Sequence, residues 1–235
     1  MPVIKGIQKT TLVDFPGKIA ATIFTSGCNF RCVFCHNTAL VNVQEGAELP
    51  VIDTEELLDY LRGRTKQLEG ICISGGEPTL HADLPEFIRK IKQIGYAVKL
   101  DTNGTNPAML KNLFAEKLLD YTAMDIKGPL ELYPQIVNTE VDMEKITESI
   151  ELIMRSGVPY EFRTTVLPAF LDEKNFIKVA GLINGADCYY LQQFHAGEHL
   201  LNPAYQQADG YTDGQLNLFA RKFEPFVQKV AVRGV

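Results

Sequence analysis

The chain has 235 residues, a formal net charge of −6 and a pI near 5.3. That length suffices for one substantial core, so we expect a single domain, with a core over about 18–200 and a helical extension over about 205–235. The acidic balance provides no basic surface for nucleic acid. No apolar run approaches the length of a membrane span, and the opening residues lack the apolar stretch of a signal peptide. These properties predict a cytoplasmic enzyme that binds neither nucleic acid nor membranes.

Apolar runs alternate with helical patterns along the chain. The opening residues, with a turn at Pro16-Gly17, are expected to form a short lead-in, and the irregular stretch 40–50 is expected to form a flap over the site. Strands are predicted at 20–25, 70–74, 97–101, 121–126, 160–166 and 188–194. Helices are predicted after Asp53 or Thr54 and at 83–94, 107–119, 143–155, 172–183 and 212–226. Six such βα units indicate an α/β fold with a curved parallel sheet, compatible with an incomplete barrel.

Three of the five cysteines lie in one loop, directly after the first predicted strand. Cys28, Cys32 and Cys35 are spaced by four and three residues, and thiolates are the usual protein ligands of iron–sulfur clusters. Three ligands would leave one iron of a four-iron cluster open to a substrate or cofactor. An odd number of cysteines, grouped in this way, argues for reduced thiols and against a disulfide framework.

A zinc site is the alternative interpretation of the same loop. His36 follows Cys35 and completes a Cys3His set, although such sites usually draw ligand pairs from two separate segments. Cys72 and Cys188 both lie far away in apolar runs, where a buried thiol behaves as a small hydrophobic side chain. The sequence therefore predicts that Cys28, Cys32 and Cys35 are the only protein ligands of the metal centre.

Polar residues follow or interrupt the later strands. Gly75 and Gly76 end the second strand, where paired glycines either form a tight turn or let backbone approach a ligand. Asp101 and Asp125 end the next two strands, so their carboxylates either cap helices or point into the mouth of the sheet. Arg163 lies inside an apolar strand, where burial of its charge requires a partner. We expect it to point inward toward a carboxylate.

The cysteine motif resembles a known signature. C-x3-C-x2-C, with Phe34 before the last cysteine, resembles the motif of the radical S-adenosylmethionine enzymes, and the likeness continues through GGEP at 75–78, DTNG at 101–104 and MDIK at 124–127. With the opening GIQKTTLVDFPGKIAATIFTSGCNFRC, the chain is most similar to the activating proteins of anaerobic ribonucleoside-triphosphate reductase. The resemblance implies a partial (β/α)6 TIM-like barrel, one 4Fe-4S cluster and S-adenosylmethionine.

The resemblance also implies roles for individual residues. The GGEP stretch would contact the methionine amino group of the cofactor, and Asp101, Thr102, Asp125 and Lys127 would hold its carboxylate end and a monovalent cation. Phe34 either covers the adenine or packs the loop, and His195 either lies near the ribose or is an exposed loop histidine. His36, His81 and His199 have weaker claims. The implied cofactor-binding residues are Phe34, Gly75, Gly76, Glu77, Pro78, Asp101, Thr102, Asp125, Lys127, Arg163 and His195.

The implied reaction is reductive cleavage of S-adenosylmethionine to a 5′-deoxyadenosyl radical that abstracts hydrogen from a target. The target implied most directly is a glycine of anaerobic ribonucleotide reductase, with a flavodoxin- or ferredoxin-type electron donor. The open side of an incomplete barrel would give such a large partner room to enter.

Three other functions are open on the sequence. The first is activation of another glycyl-radical enzyme such as pyruvate formate-lyase, although several relatives of that kind carry an inserted cysteine-rich domain that this chain lacks. The second is a small-molecule radical enzyme, for instance one that makes a deazapurine precursor. The third, a non-catalytic zinc or iron–sulfur module, would leave GGEP, DTNG and MDIK unexplained.

Overall fold

The fold is built on one β-sheet. The computed structural model describes residues 1–41 and 49–234. Within these residues, eight strands form one sheet whose order follows the chain from β1 to β8. The first pair is antiparallel, and every later pair of neighbours is parallel. The strands are β1 (Ile4–Thr11), β2 (Ala20–Thr25), β3 (Gly70–Gly75), β4 (Ala97–Thr102), β5 (Tyr121–Asp125), β6 (Tyr160–Val166), β7 (Tyr189–Gln193) and β8 (Val230–Arg233).

Helices connect the parallel strands. They are α1 (Thr38–Val41), α2 (Thr54–Arg62), α3 (Leu84–Ile94), α4 (Pro107–Ala115), α5 (Tyr133–Val137), α6 (Met143–Arg155), α7 (Glu173–Leu182) and α8 (Asp213–Phe223). Short 3-10 turns lie at Pro78–Leu80, Leu130–Leu132 and Pro203–Tyr205. Across the described residues, no helix is both long and apolar enough to cross a bilayer.

The helix ends follow local sequence chemistry. The Asp53 carboxylate accepts hydrogen bonds from the backbone N–H groups of Glu55 and Glu56, which caps α2. Gly95 ends α3 with a φ of 110°, a conformation that glycine adopts without a Cβ clash. On α3, Phe87, Ile88 and Ile91 are buried and form its apolar stripe. Buried apolar residues form similar stripes on α2, with Leu57, Leu58 and Leu61, and on α6, with Ile146, Ile150 and Ile153.

The strand register brings the ends of β2 to β5 together. Thr25 pairs with Gly75, so the loops after β2 and β3 leave the sheet side by side. Asp101 pairs with Ala123, and Asp125 pairs with Arg163. Paired residues on neighbouring strands share one face of the sheet, and so do Ala123 and Asp125, which are two residues apart on β5. Asp101, Asp125 and Arg163 therefore all point to the same, inner face. The candidate site is built at this edge.

The six predicted strands correspond to β2 through β7, and the partial-barrel fold is confirmed. The opening residues were expected to be a lead-in, but they form β1, an antiparallel edge strand. β8 was also missed. It pairs with β7 and extends the sheet beyond the predicted last helix. In the described residues both are edge strands, and β1 carries only an isolated bridge between Ile4 and Ile52 on its outer side. Neither therefore needs the continuous apolar run that marks a central parallel strand.

Two boundaries and one loop differ from the sequence reading. The helix predicted at 107–119 ends at Ala115, and Lys117 then adopts a φ of 54°. The last helix covers Asp213–Phe223 within the predicted 212–226. The flap predicted at 40–50 lies mostly outside the described residues, since the structure describes Val41 as the end of α1 and then resumes at Leu49.

Candidate active site

A cavity of about 290 Å³ opens at the carboxyl ends of the parallel strands. Most residues that the sequence singled out meet here, although they come from five separate segments of the chain. Those lining the cavity are Cys28, Cys32, Phe34, Cys35, Gly75, Gly76, Glu77, Asp101, Thr102, Asp125, Lys127 and Arg163. Barrel enzymes place their chemistry at this end of the strands. The fold therefore assembles one site from the predicted residues.

The cysteine loop is held by backbone hydrogen bonds on both sides. On one side, the N–H groups of Arg31 and Val33 donate to carbonyl oxygens at the end of α5, at 2.7 and 3.0 Å. On the other, the N–H of Leu201 donates to the Cys35 carbonyl at 3.0 Å. An irregular loop needs such partners for its buried polar groups. They fix the path of the loop before any ligand binds.

Arg31 stabilises the same loop through its side chain. Its Nη1 donates to the carbonyl oxygens of Cys28 and Phe30, at 2.7 and 2.8 Å. These contacts turn both carbonyls toward the guanidinium. The N–H of Phe30 in turn donates to the Cys28 sulfur at 3.3 Å. The loop thus presents the Cys28 sulfur, and not its backbone oxygens, to the cavity.

The three loop cysteines are free, shielded thiols. Burial raises the pKa of Cys28 to about 12, with the Glu77 charge adding to the effect, and burial raises the pKa of Cys32 to about 11. Burial also raises the pKa of Cys35. Metal binding by such thiols must expel their protons. In the described residues, no three His, Cys, Asp or Glu side chains converge closely enough to hold a single metal ion.

The other two cysteines lie elsewhere. Cys72 is fully buried on β3, with its sulfur 3.9 Å from the Lys99 Nζ, and burial raises its pKa. Cys188 is buried just before β7, and burial raises its pKa as well. Neither lines the cavity. Their surroundings are those of packed thiols.

The glycine pair after β3 packs directly against the cysteine loop. Gly75 has a φ of 126°, and the N–H groups of Gly76 and Glu77 donate to the carbonyls of Thr25 and Gly27 at 3.0 and 2.7 Å. A Cβ on Gly76 would lie 1.9 Å from the Gly27 oxygen. A side chain therefore has no space here, and the two loops meet backbone to backbone.

We expect Gly76→Ala to destabilise the protein and separate these loops. A backbone oxygen cannot yield as a flexible side chain does, so the cost should be at least the ~1–3 kcal/mol typical of overpacking. Gly181→Ala is the matched control, because that glycine lies in α7 with nothing within 4 Å of its added Cβ. Urea unfolding should show a lower midpoint for the first variant and an equal or higher one for the second. Equal stability of Gly76→Ala and wild type would contradict the close packing.

Glu77 is buried and joins the loops that follow β3 and β4. Its carboxylate accepts hydrogen bonds from the backbone N–H and hydroxyl of Thr79, from the Thr102 hydroxyl at 2.8 Å and from the Asn103 N–H at 2.6 Å. Burial raises its pKa, while these donors act in the opposite direction. The resemblance implies that GGEP contacts the cofactor, and the structure shows this glutamate fully occupied within the protein. Its carboxylate links the loop after β3 to the loop after β4 by hydrogen bonds.

A set of five charged side chains fills the inner wall of the site. The Arg163 guanidinium contacts both Asp101 at 3.3 Å and Asp125 at 3.0 Å. Lys99 donates to Asp101 at 2.5 Å, and Lys127 donates to Asp125 at 3.1 Å. The expectation that Arg163 points inward toward a carboxylate is therefore met by two carboxylates. Three cations facing two anions leave this wall with a net charge of +1.

These contacts keep both carboxylates ionised. Burial alone would raise the pKa of Asp125, but Arg163 and Lys127 hold it well below its usual range. Asp101 follows the same pattern, with Arg163 and Lys99 lowering its pKa against the effect of burial. The pKa of Lys127 is raised by Asp125 despite burial. The wall is thus a fixed array of charges that can bind an ionic ligand in a low-dielectric site.

A second charged group lies deeper in the barrel. Glu161 is 1% exposed and accepts two hydrogen bonds from Arg233 of β8, at 2.7 and 2.9 Å, and one from the Tyr121 hydroxyl. The Arg233 guanidinium also stacks on the Tyr190 ring, 3.3 Å from its centroid. The missed strand β8 therefore supplies the partner of a buried carboxylate.

Four predicted or weighed residues have distinct positions. Phe34 lines the cavity, and its ring lies 5.9 Å from the Lys127 Nζ. Pro78 is buried at the start of a 3-10 turn, outside the cavity lining. His195 is exposed, and its Nε2 lies 3.0 Å from the Gly234 carbonyl, so the structure places it outside the cavity. His36, given a weaker claim, does line the cavity.

Sequence reasoning missed Lys99 and Asn103. Lys99 lies two residues before Asp101, so both share the inner face of β4, and a lysine in an otherwise apolar strand was the available signal. Asn103 belongs to the DTNG motif but received no role. Its side chain reaches from the β4 loop to the cysteine loop. A polar residue directly after a strand end was the signal for it.

The donor set fits an iron–sulfur cluster with an ionic cofactor. Three thiols line one cavity, and the glycine backbone after β3 approaches them without side chains. Charged side chains of both signs face the same space. Thiolates bind the irons of such clusters, and the charged wall suits the amino and carboxylate ends of an amino-acid-like ligand.

Comparison with known proteins gives the same assignment. The radical SAM superfamily profile matches residues 22–180. A Methanocaldococcus jannaschii protein that carries the name of a glycyl-radical enzyme activating enzyme is 31% identical over 237 residues, covering 99% of this chain and 96% of that protein. The pyruvate formate-lyase-activating enzyme of Clostridium pasteurianum is 28% identical over 77% of this chain and 75% of its own length.

Among solved structures, SuiB of Streptococcus suis superposes with a TM-score of 0.67 at 13% identity. The match covers 89% of this chain and 47% of SuiB, so this chain spans less than half of that protein, and the likeness is one of fold. The family profile and the full-length relative together cover the cysteine loop and all of the strand ends that build the site. The chain belongs to the radical SAM superfamily, among relatives that include the glycyl-radical enzyme activating enzymes.

Proposed function

We propose that this protein activates anaerobic ribonucleoside-triphosphate reductase by generating a glycyl radical on it. Radical SAM enzymes use a 4Fe-4S cluster and S-adenosylmethionine, and the 31% identical relative, matched over nearly its full length, supports activation of a glycyl-radical enzyme. The choice of the reductase rests on the opening and cysteine-loop sequence. A flavodoxin- or ferredoxin-type protein would supply the electron.

The residues of the cavity have separate roles in this proposal. Cys28, Cys32 and Cys35 hold the cluster, which supplies one electron for reductive cleavage of the cofactor. The loop at Gly75 and Gly76 offers backbone groups to the methionine end of the cofactor. The charged wall described above holds its carboxylate, and Phe34 covers the adenine. The protein thus orients the cofactor and excludes water from the reacting atoms.

The observation that supports a macromolecular target is access to the site from the side of the barrel. In the described residues, β1 and β8 are the two edges of the sheet and do not pair with each other. A cavity of about 490 Å³ lies beside β8, lined by Val13, Asp14 and Arg233 together with Arg163 and Gln192. Arg163 and Gln192 also line the main cavity. An extended segment entering from the side would therefore reach the site.

A glycine on a flexible segment of the target protein could reach the cofactor by this side entrance. Its α-carbon is unhindered, and a flexible segment can bring it next to the cofactor. A small metabolite, in contrast, usually binds in a concave pocket with convergent polar groups. The 28% identity to a pyruvate formate-lyase-activating enzyme favours that lyase as the second candidate target.

A monovalent cation is part of the proposal. The carboxylates of Asp101 and Asp125 are its available ligands, and Arg163 contacts both, so a bound cation would compete with that arginine. We expect tighter S-adenosylmethionine binding in a potassium salt than in a tetramethylammonium salt of equal ionic strength. Equal affinity in both salts would remove the cation from the proposal.

Cofactor cleavage tests the activity itself. Reconstituted without oxygen and reduced, the protein should convert S-adenosylmethionine to methionine and 5′-deoxyadenosine, whereas protein without iron should not. Chromatography of the two products measures this directly. An iron-replete, folded protein that binds the cofactor but yields neither product, with or without a partner, would contradict the proposal.

A further inference from the structure

The amide of Asn103 lies between the β4 loop and the cysteine loop, in a fixed orientation. Its Oδ1 accepts hydrogen bonds from the backbone N–H of Thr105 at 3.0 Å and from the Thr105 hydroxyl at 2.7 Å. A backbone N–H can only donate, so this contact identifies the carbonyl oxygen of the amide. The Nδ2 group must therefore face the opposite way, toward the cysteine loop.

The Nδ2 group has two neighbours on the cysteine loop. It donates to the Asn29 Oδ1 at 2.9 Å and lies 3.9 Å from the Cys28 sulfur. Asn29 in turn donates from its Nδ2 to the Thr105 hydroxyl at 2.9 Å. Asn103, Asn29 and Thr105 thus form a closed ring of hydrogen bonds. One N–H of the Asn103 amide is used within the ring, and the other is available to the sulfur.

Burial and the backbone reinforce this placement. Asn103 is 5% exposed, and its own N–H donates to the Glu77 carboxylate at 2.6 Å. The Cys28 sulfur also accepts from the Phe30 N–H at 3.3 Å. Two N–H groups therefore face one ligand sulfur, and one of them comes from outside the cysteine loop. A donor fixed on both sides can act on this sulfur without a change of conformation.

We propose that Asn103 is a positioning residue that eases reduction of the cluster by donating a hydrogen bond to the Cys28 sulfur. Such donors draw electron density from the thiolate and favour the more negative, reduced state of the cluster, which raises the reduction potential. The inference rests on the proposed role of Cys28 as a cluster ligand. It adds a residue whose function is to tune the cluster, beyond those that bind it.

Two substitutions remove the donor in different ways. Asn103→Leu keeps a similar volume without an N–H, and Asn103→Ala removes the whole amide without adding a charge. Thr105→Val is the matched control, because it breaks the ring of hydrogen bonds but leaves the Asn103 amide. Iron and sulfide content is measured first for each variant, beside Cys28→Ala. If Cys28→Ala keeps a full cluster, the ligand assignment fails, independently of Asn103.

The midpoint potential of the cluster then tests the role of Asn103. In a redox titration followed by electron paramagnetic resonance, both Asn103 variants should shift to lower potential, with the ratio of reduced to oxidised cluster at the wild-type midpoint falling about tenfold, or about 59 mV for one electron. Thr105→Val should stay near wild type. If Asn103→Leu does not assemble a cluster, Asn103→Ala decides. A wild-type potential in the assembled variant, or an equal shift in Thr105→Val, would overturn the proposal.

Discussion

Replacing Cys32 with alanine is expected to remove the cluster and all cleavage of S-adenosylmethionine. The Cys32 sulfur is buried in the wall of the cavity between two further thiols, and no other cysteine of this chain lines that space. With two ligands left, a four-iron cluster loses a third of its attachment to the protein. Iron content and absorbance near 400 nm after anaerobic reconstitution provide the measurement. Cys28→Ala and Cys35→Ala should behave alike.

Cys72→Ala and Cys188→Ala are the matched controls for this result. Both thiols are buried in strand or strand-adjacent positions outside the cavity, so their loss should affect packing and leave iron content intact. Loss of the cluster in a folded Cys72→Ala or Cys188→Ala variant, as complete as in Cys32→Ala, would show that the three-ligand assignment is wrong.

Asp125→Asn is expected to weaken cofactor binding and to destabilise the fold while the cluster stays. The substitution leaves Arg163 and Lys127 facing a neutral amide in place of a carboxylate. Cofactor affinity should fall about tenfold or more, which corresponds to at least ~1.4 kcal/mol. The loss of stability should be roughly 2–3 kcal/mol, below the ~3–5 kcal/mol of a fully buried pair, because the Asp125 side chain is 29% exposed.

A surface pair provides the control for this variant. Glu151 and Arg155 lie 3.5 Å apart on α6, with side chains 57% and 80% exposed. Glu151→Gln should therefore change the free energy of unfolding by less than about 1 kcal/mol. Urea unfolding and equilibrium binding of S-adenosylmethionine separate the two expected effects. Unchanged cofactor affinity in a folded, iron-replete Asp125→Asn protein would count against its proposed role.

The difference in unfolding free energy between wild type and Asp125→Asn should also depend on pH. The pKa of Asp125 in the folded protein lies well below its unfolded value, so its charge stabilises the fold above the unfolded pKa of about 4. That contribution is lost as the pH falls toward the folded pKa. Wild type and Asp125→Asn should therefore differ most at neutral pH and converge in acid.

The central strands could be predicted because buried parallel strands are marked by apolar runs in the sequence. Each of β2 to β7 is a short apolar run between helical patterns, and the resemblance then gave the partial barrel. β1 and β8 lack that signal. Only two of the eight β1 residues are buried, and all four β8 residues are partly buried. The pairing of these strands therefore depends on neighbours that are distant in sequence.

The site was predictable wherever polar residues end a strand. Strand position predicted that Asp101 and Asp125 either point into the mouth of the sheet or cap helices, and the cost of burying a charge predicted that Arg163 points inward. The pairing of Arg163 with both carboxylates depends on the register of three strands, which the sequence does not specify. The hydrogen bonds of Glu77 to the β4 loop and of Asn103 to the cysteine loop join segments that are distant in sequence, so they depend on how the loops pack. His195 is exposed and outside the cavity lining, so its place near the ribose stays a prediction.

Electron paramagnetic resonance of a glycyl radical tests the central claim most directly. The reconstituted protein is mixed without oxygen with reductant, S-adenosylmethionine and anaerobic ribonucleotide reductase, and a parallel sample contains pyruvate formate-lyase. We expect a doublet from the reductase that disappears when the target glycine is replaced by alanine or when Cys32→Ala is used. A doublet on the lyase but not on the reductase would transfer the assignment to the second candidate. No radical on either protein, despite cofactor cleavage, would contradict the activating function.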